Sequence, residues 1–125
     1  MTYSARKHIA LKVSDLSVGY KNKKHTTIVS QGINFALQQG ELVAIIGING
    51  IGKSTLLRTL GKVQQALGGE IILGIKNLET YKEHELAEKV SVVLTEKIAS
   101  NNLTVQELVA LARQPYTNWT GSLSK

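Results

Sequence analysis

Within "GINGIGKST", residues 47–55, Gly47, Gly52, Lys53 and Ser54 meet the spacing G-x-x-x-x-G-K-[ST], and Thr55 follows. Those residue types at that spacing suit the binding of a polyphosphate. The glycines let successive backbone N–H groups point inward, and a helix starting just after them adds partial positive charge, so a phosphate finds donors without many side chains. Lys53 is expected to bridge the β- and γ-phosphates of a nucleoside triphosphate, and the Ser54 hydroxyl to ligate Mg²⁺. Thr55 and the backbones of Asn49, Gly50 and Gly52 complete the cradle. The competing possibility is an ordinary strand-to-helix turn that uses glycine for positive φ.

Such a cradle hangs between a strand and a helix, and the flanking sequence offers both. "ELVAII" (41–46) is a short apolar run that reads as a buried parallel strand. "STLLRTLGKVQQAL" (54–67) places Leu56, Leu60, Val63 and Leu67 on one helical face, with Gly68 and Gly69 as a stop. Upstream, "HIALKVSDLSVGY" and "TTIVSQGINFALQQ" read as strands. The basic "KNKKH" (21–25) between them is a solvated hairpin loop, or alternatively an anion-binding patch. Downstream, "EIILG" (70–74) and "VSVVL" (90–94) read as strands, and "TYKEHELAEK" (80–89) as a short helix with Thr80 and Glu83 at capping-box spacing. After the polar loop "TEKIASNN", "TVQELVALAR" (104–113) repeats that spacing with Thr104 and Glu107. Its expected buried face is Val105, Leu108, Val109 and Ala112, and Pro115 ends it. No internal repeat or low-complexity segment is visible.

A chain of 125 residues is one domain at most, and 42% hydrophobic with 19% charged residues is a composition that packs a core. With no cysteine, a disulfide framework or thiolate metal site is excluded. "MTYSARKHIALKV" has no apolar leader, and no apolar run approaches bilayer length, so the expected location is cytoplasmic, with any membrane link running through a partner. The net charge of +6 raises nucleic-acid binding, but the basic residues are scattered and nucleic acid is not expected as a partner.

With these pieces in place, the chain resembles the N-terminal part of an ABC transporter ATP-binding subunit. "QGINFALQQGELVAIIGINGIGKSTLLRTLGKVQQALGGEIILG" follows that family's pattern almost continuously, and the likeness covers essentially the whole chain. The fold it implies is α/β, a P-loop NTPase domain of ABC type. Its N-terminal portion carries an antiparallel β subdomain and is truncated before the helical subdomain and Walker B. The division expected is 1–40 mainly β subdomain, 41–74 P-loop strand, helix and following strand, and 75–125 helix, strand and loop.

The resemblance also implies roles. Tyr20, closing "LSVGY", matches an aromatic that stacks on adenine, against the alternative of a half-buried strand tyrosine. ATP and Mg²⁺ are the implied cofactors, with Lys53 catalytic. The implied partners are a membrane permease at the inner face of the cell membrane and a second copy of the ATP-binding subunit. "LTVQELVALARQPYTNW" is similar to a segment of the iron-siderophore, haem and cobalamin importers, so the expected task is to energise siderophore-type import.

Departures from the pattern are informative. Ile48 stands in place of a usual proline and Ile51 in place of a small residue, though neither side chain has to face phosphate. Thr95, in "VVLTEK", occupies the position of a glutamine that contacts Mg²⁺ and the attacking water. A threonine is shorter, so either Thr95 or the adjacent Glu96 reaches the metal through water, or Thr95 merely ends a strand.

The sole aspartate is Asp15, upstream of the P-loop, so Walker B is absent, and "GSLSK" is not the family's signature loop. His8, His25 and His84 all precede where the switch histidine would fall, and His84 reads as solvated. Phosphoryl transfer relies on metal, lysine and a water-orienting group together, so this chain alone is expected to bind nucleotide weakly and hydrolyse negligibly. An unpaired central strand would also invite self-association. The alternatives are a soluble ABC-type ATPase acting on nucleic acid or ribosomes, a P-loop kinase, and a non-catalytic nucleotide-binding fragment.

Overall fold

A computed structural model describes residues 8–93, 95 and 104–112. The polar loop beyond Thr95, Glu96, Leu94, Pro115 and "GSLSK" lie outside the described residues, as do the side chains of Leu108 and Ala112. The described chain divides into two units, one ending at Tyr81 and the other starting at Lys82.

The first unit is built on a sheet of four antiparallel strands in the order β2-β1-β3-β4. They are β1 (Ile9–Lys21), β2 (Thr26–Gln38), β3 (Gly68–Leu73) and β4 (Lys76–Asn77). β1 is the spine, and its buried side chains are Leu11, Val13, Leu16 and Val18. The parity changes between Val13 and Leu16, because two residues intervene where strict alternation has one. The irregularity lies at Asp15, whose φ is 46°, and the pairing with both neighbours shifts there. This bulge turns Leu16 back to the core face, where it and Val18 are 0% exposed. Asn34 holds the kink by accepting the Asp15 N–H at 2.8 Å. On the other flank Gly69 must be glycine, since a Cβ there would lie 2.3 Å from the Asp15 carbonyl oxygen and φ is +84°. Burying side chains such as Leu16 and Val18 contributes about 1.5–3 kcal/mol each.

The basic loop closes the β1–β2 hairpin as a solvated turn. The Asn22 side chain accepts from the N–H of Lys24 at 3.0 Å and of His25 at 2.8 Å, a local substitute for ladder bonds. At the far edge, the Leu78–Thr80 turn is capped by Asn77, which accepts the Glu79 N–H at 2.9 Å. Tyr81 donates its hydroxyl to the Leu73 carbonyl at 2.6 Å, and Lys62 reaches the carbonyls of Glu79 and Tyr81 at 3.2 and 3.0 Å.

The helix after the glycines, α1 (Lys53–Leu60), is shorter than its apolar periodicity predicts. Gly61 ends it, donating to the Leu57 carbonyl, and Lys62 takes a left-handed φ of 56°. The expected leucine face is not the buried one. Thr55 and Thr59 are buried instead and α1 packs on β1, while Leu56, Leu60 and Leu67 are only half-buried and Val63 is 55% exposed. Thr59 Oγ1 donates to the Thr55 carbonyl at 2.8 Å, so the buried hydroxyl is satisfied one turn back. Leu67 lies beyond the helix, where its N–H donates to the Ser17 carbonyl at 2.8 Å beside β1.

Residues 41–46 do not form the expected strand, and Leu42 and Ile46 are 98% and 92% exposed. A parallel strand is stable when neighbours hydrogen-bond both edges and cover both faces, and no strand lies beside this stretch among the described residues. An exposed apolar run of high β propensity is a template for pairing. The isolated 125-residue chain should therefore associate with itself as concentration rises. Multi-angle light scattering that showed only monomer at moderate concentration would contradict this.

In the second unit, "VSVVL" likewise forms no strand over 90–93, where Val93 is 94% exposed. The helix α2 (Glu83–Ala87) is capped two residues later than predicted, at Lys82 and Glu85 instead of Thr80 and Glu83. The Lys82 N–H donates to Glu85 at 2.9 Å, while Thr80 donates its hydroxyl to the Asn77 carbonyl at 2.6 Å. The helix α3 (Val105–Ala112) starts as its spacing predicts. Thr104 donates its N–H and hydroxyl to Glu107 at 2.7 and 2.8 Å, and the Glu107 N–H returns to the Thr104 hydroxyl at 3.2 Å. The Thr104 backbone bond, then its hydroxyl, lowers the Glu107 carboxyl below its ordinary value. Val105 and Val109 do not form the predicted buried face, being 80% and 59% exposed.

Candidate nucleotide-binding site

The glycine-rich loop and the end of the β1–β2 hairpin line one cavity of about 310 Å³. Its lining consists of Tyr20, Val29, Asn49, Gly50, Gly52, Lys53, Ser54 and Thr55. Seven of these are the residues that sequence spacing and resemblance single out, and they come from β1, the loop and the first turn of α1. Gly47 stands at the start of the loop, where its carbonyl accepts a hydrogen bond from the Lys53 ammonium. Thr95 is exposed and belongs to the second unit.

Local backbone chemistry accounts for the loop's shape. Gly52 caps α1 with φ 109° and ψ 15°, a conformation a side chain rarely adopts. A Cβ at this position would also lie 2.5 Å from Val29 Cγ1, so the helix N-terminus approaches β2 as closely as it does because hydrogen stands there. The first-turn N–H groups of α1 face no helical acceptor, which leaves donors and the positive end of the helix dipole beside the cavity.

Among the described residues Lys53 is the one charged residue of the lining. Its ammonium folds back on its own loop, donating to the carbonyls of Gly47 and Ile48, the latter at 2.8 Å. Neutral carbonyls are weaker acceptors than phosphate oxygens, so an entering polyphosphate competes for the same ammonium with the stronger, charge-assisted bond.

Tyr20 is 51% exposed, and its hydroxyl lies 3.1 Å from Thr55 Oγ1. That contact ties the half-open aromatic ring to a 5% exposed threonine in the first turn of α1. Glycine cradle, lysine, two adjacent hydroxyls and an accessible aromatic platform make a donor set suited to a nucleoside polyphosphate rather than to a free sugar or peptide.

Val29 escapes motif reasoning, because apolar β residues carry no chemical signature. In the fold it is the extra residue of β2 at the register shift between the Val18–Ser30 and Gly19–Ile28 pairs, and it lines the cavity beside Gly52.

A sequence model of the ABC transporter family matches residues 30–123. An uncharacterised ABC transporter ATP-binding protein of Methanocaldococcus jannaschii is 41% identical over 115 residues, which cover 92% of this chain and 38% of that protein. The probable siderophore transport system ATP-binding protein YusV of Bacillus subtilis is 33% identical over 116 residues, covering 93% of this chain and 41% of its own length. The ferric enterobactin transport ATP-binding protein FepC of Escherichia coli is 34% identical over 113 residues, covering 87% of this chain and 40% of its own. The chain thus spans about two-fifths of the length of these relatives.

Proposed function

Since the chain belongs to the ABC transporter family, we propose that it carries the phosphate and base contacts of an ATP-binding, ATP-hydrolysing subunit that energises iron-siderophore-type import. The observation that carries this is the joint lining of one cavity by Tyr20 and by the loop residues Asn49, Gly50, Gly52, Lys53, Ser54 and Thr55. The siderophore class is supported by relatives whose names specify siderophore and ferric enterobactin transport.

In this proposal the loop N–H groups and Lys53 hold the triphosphate, and Tyr20 stacks on the base. Mg²⁺, when bound, would neutralise charge on the phosphates, and the Ser54 hydroxyl would hold it. Lys53 leaves the carbonyls of Gly47 and Ile48 to pair with phosphate oxygens, which places its positive charge where negative charge accumulates. The 125 residues alone lack a Walker B aspartate and are proposed to bind nucleotide without turning it over. The complete protein works with a membrane permease and a second copy of itself, at the inner face of the cell membrane.

The test is iron uptake by cells that carry the complete protein and its permease, measured with ⁵⁵Fe-labelled hydroxamate and catecholate siderophores. Uptake should fall to background with Lys53→Ala. Undiminished uptake of both siderophore classes would overturn the importer assignment.

A further inference from the structure

From the 3.1 Å contact between the Tyr20 hydroxyl and Thr55 Oγ1, we propose that Thr55 is a positioning residue, holding the aromatic platform in register with the phosphate cradle. The proposal rests on the nucleotide-binding reading above.

The two halves of this cavity come from sequence positions 35 residues apart. Tyr20 stands next to the turn of the hairpin, half exposed, and an unanchored ring there would sample several rotamers. Thr55 is well placed to prevent that. It is buried in the first turn of α1, and its carbonyl accepts the hydroxyl of Thr59, which is 1% exposed. The chain of contacts therefore runs from a fixed helix interior, through Thr55 Oγ1, to the rim aromatic. The ring's hydroxyl is anchored while half of its surface remains open to stack on a base.

The physical consequence is a division of binding energy. A polyphosphate alone uses the loop, whereas a nucleotide uses loop and ring together. Ordering the ring before the base arrives removes an entropy cost from the second part. A hydroxyl pair of this kind acts on the base-dependent share of affinity, whereas stacking itself needs only the ring face.

Titrations of the 125-residue chain with ATP and with inorganic tripolyphosphate separate these shares. Tyr20→Phe keeps the ring and removes the hydroxyl, and is expected to weaken ATP about fivefold while the ratio of ATP to tripolyphosphate affinity falls by the same factor. In a double-mutant cycle, Tyr20→Phe should have no further effect on ATP in a Thr55→Val background. In a Thr55→Ser background, which keeps the hydroxyl, the fivefold effect should return. Equal ATP affinity of wild type and Tyr20→Phe, or penalties that simply add across the cycle, would overturn the positioning role while leaving nucleotide binding intact. Failure of the wild-type chain to bind either ligand would instead overturn the nucleotide reading, and this proposal with it. Thermal melts of each variant identify any loss of binding that comes from unfolding, in which case the Thr55→Ser arm alone decides.

Discussion

Replacing Lys53 by alanine is expected to weaken ATP binding by about 30- to 150-fold, which corresponds to losing hydrogen bonds to a charged group worth about 2–3 kcal/mol. Among the described residues the lysine is the only charged group lining the cavity, and none of them compensates for it. Its present partners, the carbonyls of Gly47 and Ile48, belong to exposed residues and would be hydrated in the variant. The fold should therefore survive, with a melting temperature close to that of the parent, and the loss should be equally large for tripolyphosphate. Lys53→Arg should not restore binding, because a planar guanidinium does not replace a compact ammonium at the bottom of a narrow loop. Isothermal calorimetry with both ligands checks this. Retained affinity would mean that the backbone cradle works without the cation.

The second large effect is expected at Gly52, where a single methyl group meets two obstacles. The backbone sits at φ 109°, and the added carbon of Gly52→Ala would lie 2.5 Å from Val29 Cγ1. Backbone strain of this type costs about 1–3 kcal/mol, and the contact has to be relieved by moving β2 away from the helix or by unwinding the first turn. Either motion takes apart the lining shared by Val29, Lys53 and Ser54. A melting temperature lowered by several degrees, together with at least tenfold weaker ATP binding, is the expected result. A companion change, Val29→Ala, removes the clashing methyls and should return part of the lost stability in the double variant, while the φ penalty stays. If Gly52→Ala melted and bound like the parent, the close approach of helix and strand would not be what shapes the cradle.

The parts of this molecule that were legible in the sequence are those fixed by local chemistry. The Thr104–Glu107 box needs only its own neighbours and forms as its spacing predicts, and the glycine, lysine and serine of 47–54 form a turn that leads into α1. The hairpin around "KNKKH" is similar, since Asn22 supplies its own turn bonds. What the sequence misstated depended on longer-range partners or on a contest between two local signals. Gly61 was visible inside the predicted helix, but leucine periodicity outweighed it, and the chain turns at Gly61 and Lys62. Thr80 was available to cap α2, but the Asn77 carbonyl engages its hydroxyl and leaves Glu85 to take the Lys82 N–H. The parity change at Asp15 depends on Asn34 and Gly69, which are far along the chain, and no pattern within β1 announces it. "ELVAII" and "VSVVL" have strand composition, but composition does not supply a neighbour. The pairing of Tyr20 with Thr55 is likewise invisible in one dimension, and only the fold brings those hydroxyls together.

The most direct test of the central claim, that "GINGIGKST" with Tyr20 is a nucleotide site, is a two-dimensional ¹⁵N–¹H spectrum of the chain titrated with ATP into the millimolar range, with and without Mg²⁺. The amides of Gly50, Gly52, Lys53 and Ser54 should shift with ATP and with tripolyphosphate, and the Tyr20 ring resonances with ATP only. Unmoved loop amides at millimolar ATP would show that the glycine-rich turn merely joins elements of the fold, and the proposed function would have to be withdrawn.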